Sequence, residues 1–217
     1  MVRTVKAPAV RREDILAVTA ELFTRNGYEA TSVDQIVRAA AIAKGTFYYY
    51  FASKKAVLEA LARQVVQRMV AASEAVAAQS RFGAIEKLCA IFVAQQRVEQ
   101  KERALVDDLH RPENRALHDR INLEMIRAIG PVWARVVQQG CDEGVFDVPD
   151  PLSTMQFILA GSQMIFGHDV FDWTAEELKA RQEAMMVLIE RALGAAPGSI
   201  ARAIQRALLR EARRGMA

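Results

Sequence analysis

Residues 44–50 read Lys-Gly-Thr-Phe-Tyr-Tyr-Tyr, so one ammonium and four hydroxyls fall within seven positions. The chemistry open to Lys44, Thr46, Tyr48 and Tyr49 is hydrogen-bond donation to phosphate oxygens and to acceptors on base edges. Gly45 removes a side chain where a backbone would approach such an edge. Lys54 and Lys55 follow closely and suit phosphate. A second anion site is expected at Thr31–Val33, where free N–H groups open a helix. Bond-making chemistry has weaker candidates. No GxSxG, P-loop, HExxH or CxxC occurs, and neither Cys89 nor Cys141 has a base at a motif spacing. His110 and His118 lie near Asp107, Asp108 and Glu113, yet the spacing matches no ligand motif. The expectation is a chain with no enzymatic activity, metal or cofactor, and a helical enzyme or carrier is the remote alternative.

Short helices must hold the 44–50 segment in place. Arg11–Asn26 is amphipathic, with Ile15, Leu16, Val18, Thr19, Leu22 and Phe23 at helical spacing. Asn26-Gly27 stops it, with Gly27 suited to the left-handed position and Tyr28 placed to pack back. Ser32 and Gln35 fit a capping box for a second helix that ends near Ala40. After a connector of Ala41–Ala43, Lys44–Tyr50 makes a third helix too short to stand alone. Phe47 and Phe51 lie four apart and reach inward together, with Tyr50 near that side. Ser53 caps a fourth helix running from Lys54 to about Gln79. Two short helices joined by about three residues, braced by a preceding helix, match helix-turn-helix geometry.

The run TSVDQIVRAAAIAKGTFYYYFASKKAVLEAL strongly resembles the DNA-binding domain of the TetR family of bacterial transcriptional repressors. The likeness covers residues 10 to 60, and one departure is Ala41, where the family usually has Gly. The resemblance implies that Lys44, Gly45 and Thr46 sit at the base-reading end of the recognition helix. It places Tyr48, Tyr49, Lys54 and Thr31 or Ser32 at phosphate-contacting positions. Arg11 and Arg12 either reach the backbone or form a solvated helix start. The implied fold is all-α, with a helix-turn-helix domain at 9–60 and a larger ligand-binding and dimerisation domain at 61–217.

Beyond residue 80 every segment has helical period, near 82–101, 103–110, 114–143, 151–167, 174–193 and 199–213, with a possible bend at Gly130-Pro131. Asp150-Pro151 and Thr174 with Glu177 are start signals. Pro151–His168 runs without charge and reaches the lower edge of a membrane span, but its Ser, Thr and Gln residues favour a buried helix in a soluble assembly. Leu152, Met155, Ile158, Leu159, Ile165 and Phe166, with Leu178, Met185, Met186, Leu188 and Ile189, offer the surface of an isologous homodimer. Two recognition helices then call for a near-palindromic operator on double-stranded DNA.

Charge is consistent with this. Residues 1–55 carry +4, 56–197 carry −5 and 198–217 carry +4, the pattern of a segment that meets a polyanion. The last stretch aligns Arg202, Arg206 and Arg210 every four residues, with Arg213 and Arg214 beyond, and a solvated face is its default reading. A pocket for a small apolar or amphipathic ligand is expected among Phe92, Met125, Trp133, Phe166, Phe171 and Trp173. Gln95, Gln96, Asp108, His110, Asn122 and His168 are its polar candidates. Two cysteines and no apolar signal core point to the cytoplasm. The function expected is a repressor released from its operator by a small molecule. A regulator without such an input, or an activator, is the alternative.

Overall fold

A computed structural model describes residues 7–166, 171 and 173–215, without the side chains of 210–215. Pro8 opens helix α1 (Pro8–Asn26), three residues before the start read from periodicity. Proline suits a first helical turn because its fixed φ is already helical and its missing N–H is not needed there. Gly27 ends the helix with φ +81° and ψ 160°, and its N–H bonds to Phe23 O at 2.8 Å. The φ is positive as expected, but the extended ψ takes the residue out of the left-handed helical region. The Tyr28 ring then meets Phe23 edge to face at 5.2 Å.

Helix α2 (Val33–Ala39) has the full capping box. Ser32 Oγ accepts from Gln35 N–H at 3.2 Å, and Gln35 Oε1 accepts from Ser32 N–H at 2.7 Å. In the turn that follows, Ala41 has φ +51°, alone in positive φ among the described non-glycine residues. A Cβ there meets its own carbonyl, at a cost of about 1 kcal/mol. Ala41→Gly is therefore expected to stabilise the protein by about 1 kcal/mol in urea melts, without altering the fold.

Helix α3 is Lys44–Tyr50, and Ser53 Oγ accepts from Ala56 N–H at 3.1 Å at the start of α4 (Lys54–Ala77). There follow α5 (Ala84–Lys101), α6 (Arg103–Leu109), a 3-10 turn at Pro112–Asn114, α7 (Arg115–Asp142), α8 (Pro151–Phe166), α9 (Ala175–Ala192) and α10 (Ser199–Gly215). Among the described residues there is no strand. Pro131 lies inside α7 without ending it.

The chain divides into two compact units. One holds residues up to Val65 together with Lys101–Ile121, so α6, outside the 9–60 span, joins the first helices and packs on α1. Ile15, Leu16, Phe23, Ile36, Phe47, Val57, Leu58 and Leu117 are its most deeply buried large side chains. The other unit holds 66–100 and the chain from Asn122 onward. Its core is built on Leu88, Ile91, Val136, Val137, Phe146, Met155, Leu193 and Ile200. Glu190, buried in α9, accepts from the N–H groups of Gly198 at 2.6 Å, Ile200 at 2.9 Å and Ala201 at 3.0 Å, and so caps α10.

Candidate nucleic-acid interface

Seven residues make two turns, which is enough to separate α3 into two faces. Phe47 and Phe51, one turn apart, are buried and fix the helix to its unit. The opposite face carries Tyr48 and Tyr49, 50% and 78% exposed, with Lys44 and Gly45 also on the surface. A Cβ built on Gly45 would meet nothing within 4 Å. Thr46 and Tyr50 are half-buried, and the Tyr50 ring lies edge-on to Tyr49 at 4.9 Å. Lys44 Nζ lies 2.8 Å from Asp34 Oδ1, tying the start of α3 to the first turn of α2. The bond from Lys44 holds the Asp34 carboxyl below its usual range and raises the Lys44 ammonium. Both groups are well exposed, so water screens the pair and Lys44 can change partners at little cost.

Two expected phosphate contacts, Thr31 and Lys54, are engaged within the protein. Thr31 is fully buried, its hydroxyl donates to Gly27 O at 2.8 Å, and its N–H bonds to Tyr28 O at 3.2 Å. The side chain completes the turn after α1 and has no exposed surface. The N–H groups of Thr31 and Ser32 are both engaged, so the opening of α2 has fewer free donors than the sequence suggested. Ser32 itself is exposed, and its hydroxyl proton is not consumed by the cap, in which Oγ is an acceptor. Lys54 is likewise engaged within the protein. Its Nζ donates to Tyr28 O at 2.7 Å and to Glu29 O at 3.3 Å, and it lies 4.1 Å from the centroid of the Tyr28 ring.

Asp108 grips the same segment from the other side, through a role that sequence spacing did not reveal. Its Oδ2 accepts from Tyr28 N–H at 3.0 Å, and Arg111 Nε lies 3.0 Å from Oδ1. Burial raises its carboxyl above the usual range, against the opposing pull of the Tyr28 N–H and Arg111. Nothing local marks this link, which joins positions 80 residues apart. His110 meets His118 edge to face at 4.7 Å, and among the described residues no cluster of three His, Cys, Asp or Glu could hold a metal ion. Arg12 lies over the Phe51 ring at 5.0 Å, and Arg11 is 3.7 Å from Asp14.

In the second unit a cavity of about 240 Å³ is lined by Phe92, Gln95, Gln96, Met125 and Trp133, all read as pocket candidates, and by Met69, Glu99, Met155, Ser162, Gln163 and Met186. Phe166 was also expected in the pocket. It lies off this lining and meets Trp173 at 6.2 Å, while Phe171 stacks on Trp173 at 4.7 Å. Asp108 and His110 belong to the other unit, Asn122 is absent from the lining, and His168 falls outside the described residues.

Residues 15–61 match the family model for bacterial regulatory proteins of the tetR family, and residues 97–187 match that for the tetracyclin repressor-like C-terminal domain. The two spans account for more than half of the chain. This protein belongs to the TetR family. The chain is 25% identical to the HTH-type transcriptional repressor KstR2 of Mycolicibacterium smegmatis over 66% of its own length and 71% of that protein. It is 37% identical to the HTH-type transcriptional regulator UidR of Escherichia coli K12 over 28% of its own length and 31% of that protein. The Salmonella enterica GusR structure has the same fold, with TM-score 0.62 at 19% identity, covering 89% of this chain and all of that one. As a TetR-family protein the chain is a helix-turn-helix transcriptional regulator, and the family binds DNA as dimers.

That family habit makes the outward side of α8 and α9 informative. Phe157 is 82% exposed, and Met164, Leu178, Val187 and Leu188 are exposed with it. Of the residues read as a dimer face, Met155 is buried, while Ile158, Leu159, Met186 and Ile189 pack on the unit's own core. Helix α8 is apolar on both sides, so periodicity alone could not say which side turned inward. Phe157 and Met164 of α8 were missed for that reason, and Val187 of α9 was not singled out either. Among the described residues no helix is long and apolar enough to cross a membrane.

Proposed function

We propose that the protein is a repressor that holds its operator through α3 and leaves it when a small molecule fills the cavity of the second unit. The observation that carries the DNA half is the division of α3. Its aromatic pair is buried, and Lys44, Gly45, Tyr48 and Tyr49 are presented to solvent. In this reading Lys44, Gly45 and Thr46 meet base edges, and Tyr48, Tyr49 and Ser32 meet phosphates. Lys54 and Thr31 act indirectly, by fixing the Tyr28–Ser32 turn from which α2 starts. Two copies, joined through the exposed side of α8 and α9, bring two such helices to a near-palindromic site. The protein acts by binding, in the cytoplasm, and performs no catalysis.

The release half rests on the cavity. A ligand that prefers a state with misplaced recognition helices shifts the population off DNA by its differential affinity for the two states. The test uses a duplex selected from genomic fragments by the protein itself. Binding should saturate at two copies per duplex, and the logarithm of affinity should fall linearly with the logarithm of salt. Lys44→Ala should change which bases are preferred. Tyr48→Phe should weaken all sequences alike by about 1 kcal/mol, roughly fivefold. Unchanged affinity in both variants contradicts the assignment of α3.

A further inference from the structure

Trp133 Nε1 is buried and has no hydrogen-bond partner among the described residues. Its side chain lines the same cavity as Gln96, Ser162 and Gln163. A buried indole N–H without an acceptor is unfavourable, and a site that holds one selects a guest able to accept it. Among the described residues the lining contains no Lys, Arg or His, and Glu99 is its one charged side chain. A carboxylate or phosphate entering here would lose its water, meet no cation and face that glutamate. The Gln95 amide already donates to Ser73 Oγ at 3.0 Å. Four methionines in the wall let it adapt its shape. At about 240 Å³ the space exceeds the roughly 150 Å³ that holds benzene and falls below the roughly 300 Å³ at which drug-sized sites begin.

We infer that the cavity takes an uncharged, largely apolar compound of one or two rings that bears a hydrogen-bond acceptor, and that Trp133 donates to that acceptor. This deepens the reading of the cavity as the effector site and rests on it. Three probes of similar size test the inference by calorimetry on the full chain. They are acetylnaphthalene, with a carbonyl acceptor, isopropenylnaphthalene, in which a methylene replaces the carbonyl oxygen, and naphthoate, an anion. The ketone should bind roughly tenfold tighter than the alkene, and naphthoate should bind weakest. In Trp133→Phe the ketone should fall to the affinity of the alkene, whose own affinity should change little. Equal binding of ketone and alkene by the unaltered protein, naphthoate as the tightest, or no binding by any of the three would overturn the inference. The comparison on the unaltered protein decides even if the variant does not fold. Operator release is read separately by anisotropy. A ketone that binds as expected and leaves the protein on DNA upholds the ligand class and overturns the release mechanism.

Discussion

Gly45→Leu is expected to leave the fold intact and to cost at least about a hundredfold in operator affinity, roughly 2.7 kcal/mol. Beyond its own stretch of helix, no atom of the described residues lies within 4 Å of a Cβ at this position, so the new side chain projects into solvent. Glycine in a helix is less favourable than alanine by roughly 0.5–1 kcal/mol. Thermal stability should therefore hold or rise slightly. In the proposed complex the same space belongs to the base edges. A bulky residue there pushes the helix out of the groove and breaks base contacts worth about 1–3 kcal/mol each. A melt and a titration on one preparation check both halves. Wild-type affinity in the variant would show that α3 does not approach bases at Gly45.

Glu190→Ala should give the largest loss of stability of the substitutions considered, about 3 kcal/mol, since hydrogen bonds to a charged acceptor contribute about 1.5–3 kcal/mol. For a chain of this size that lowers the melting temperature by roughly 6–12 °C. The carboxylate accepts three backbone donors at the entrance to α10. Burial acts to raise its carboxyl, but those donors, with Arg202 nearby, outweigh burial and hold it below the usual glutamate value. A carboxyl depressed by folding contributes fully above its unfolded value and progressively less as pH falls through the folded one. The stability gap between wild type and Glu190→Ala should thus be widest near neutral pH and close on acidification. Glu190→Gln should lose part of the stability and most of that pH dependence. A gap that does not change with pH would contradict the charged cap.

Both sites show how far local patterns reach. The α3 segment was legible because its determinants are neighbours. A capping box spans four residues, Phe47 and Phe51 are one turn apart, and Gly27 and Ser53 mark boundaries by their own conformational preferences. The helix starts at Asp150-Pro151 and Thr174 were legible for the same reason: Asp150 Oδ1 accepts from Ser153 N–H at 3.0 Å, and Thr174 Oγ1 accepts from Glu177 N–H at 3.3 Å. Glu190 was not legible, because a glutamate near the end of an amphipathic helix looks like any solvated one until the chain turns and brings three N–H groups to it. The engagement of Lys54 was not legible for a similar reason. A lysine at the start of a helix has the chemistry for phosphate, and only the return of Tyr28 and Glu29 beneath it engages the ammonium within the protein.

By itself, then, the order of residues determined the helices, their caps and which short helix presents donors, since each depends on groups within about one turn of one another. The tertiary structure decided which of those donors are left for a partner. It also decided which side of α8 faces the core, which aromatic residues enclose the cavity and where a buried indole N–H lacks an acceptor among the described residues. Those outcomes depend on contacts between residues far apart in the chain, whose geometry exists only once the helices have packed.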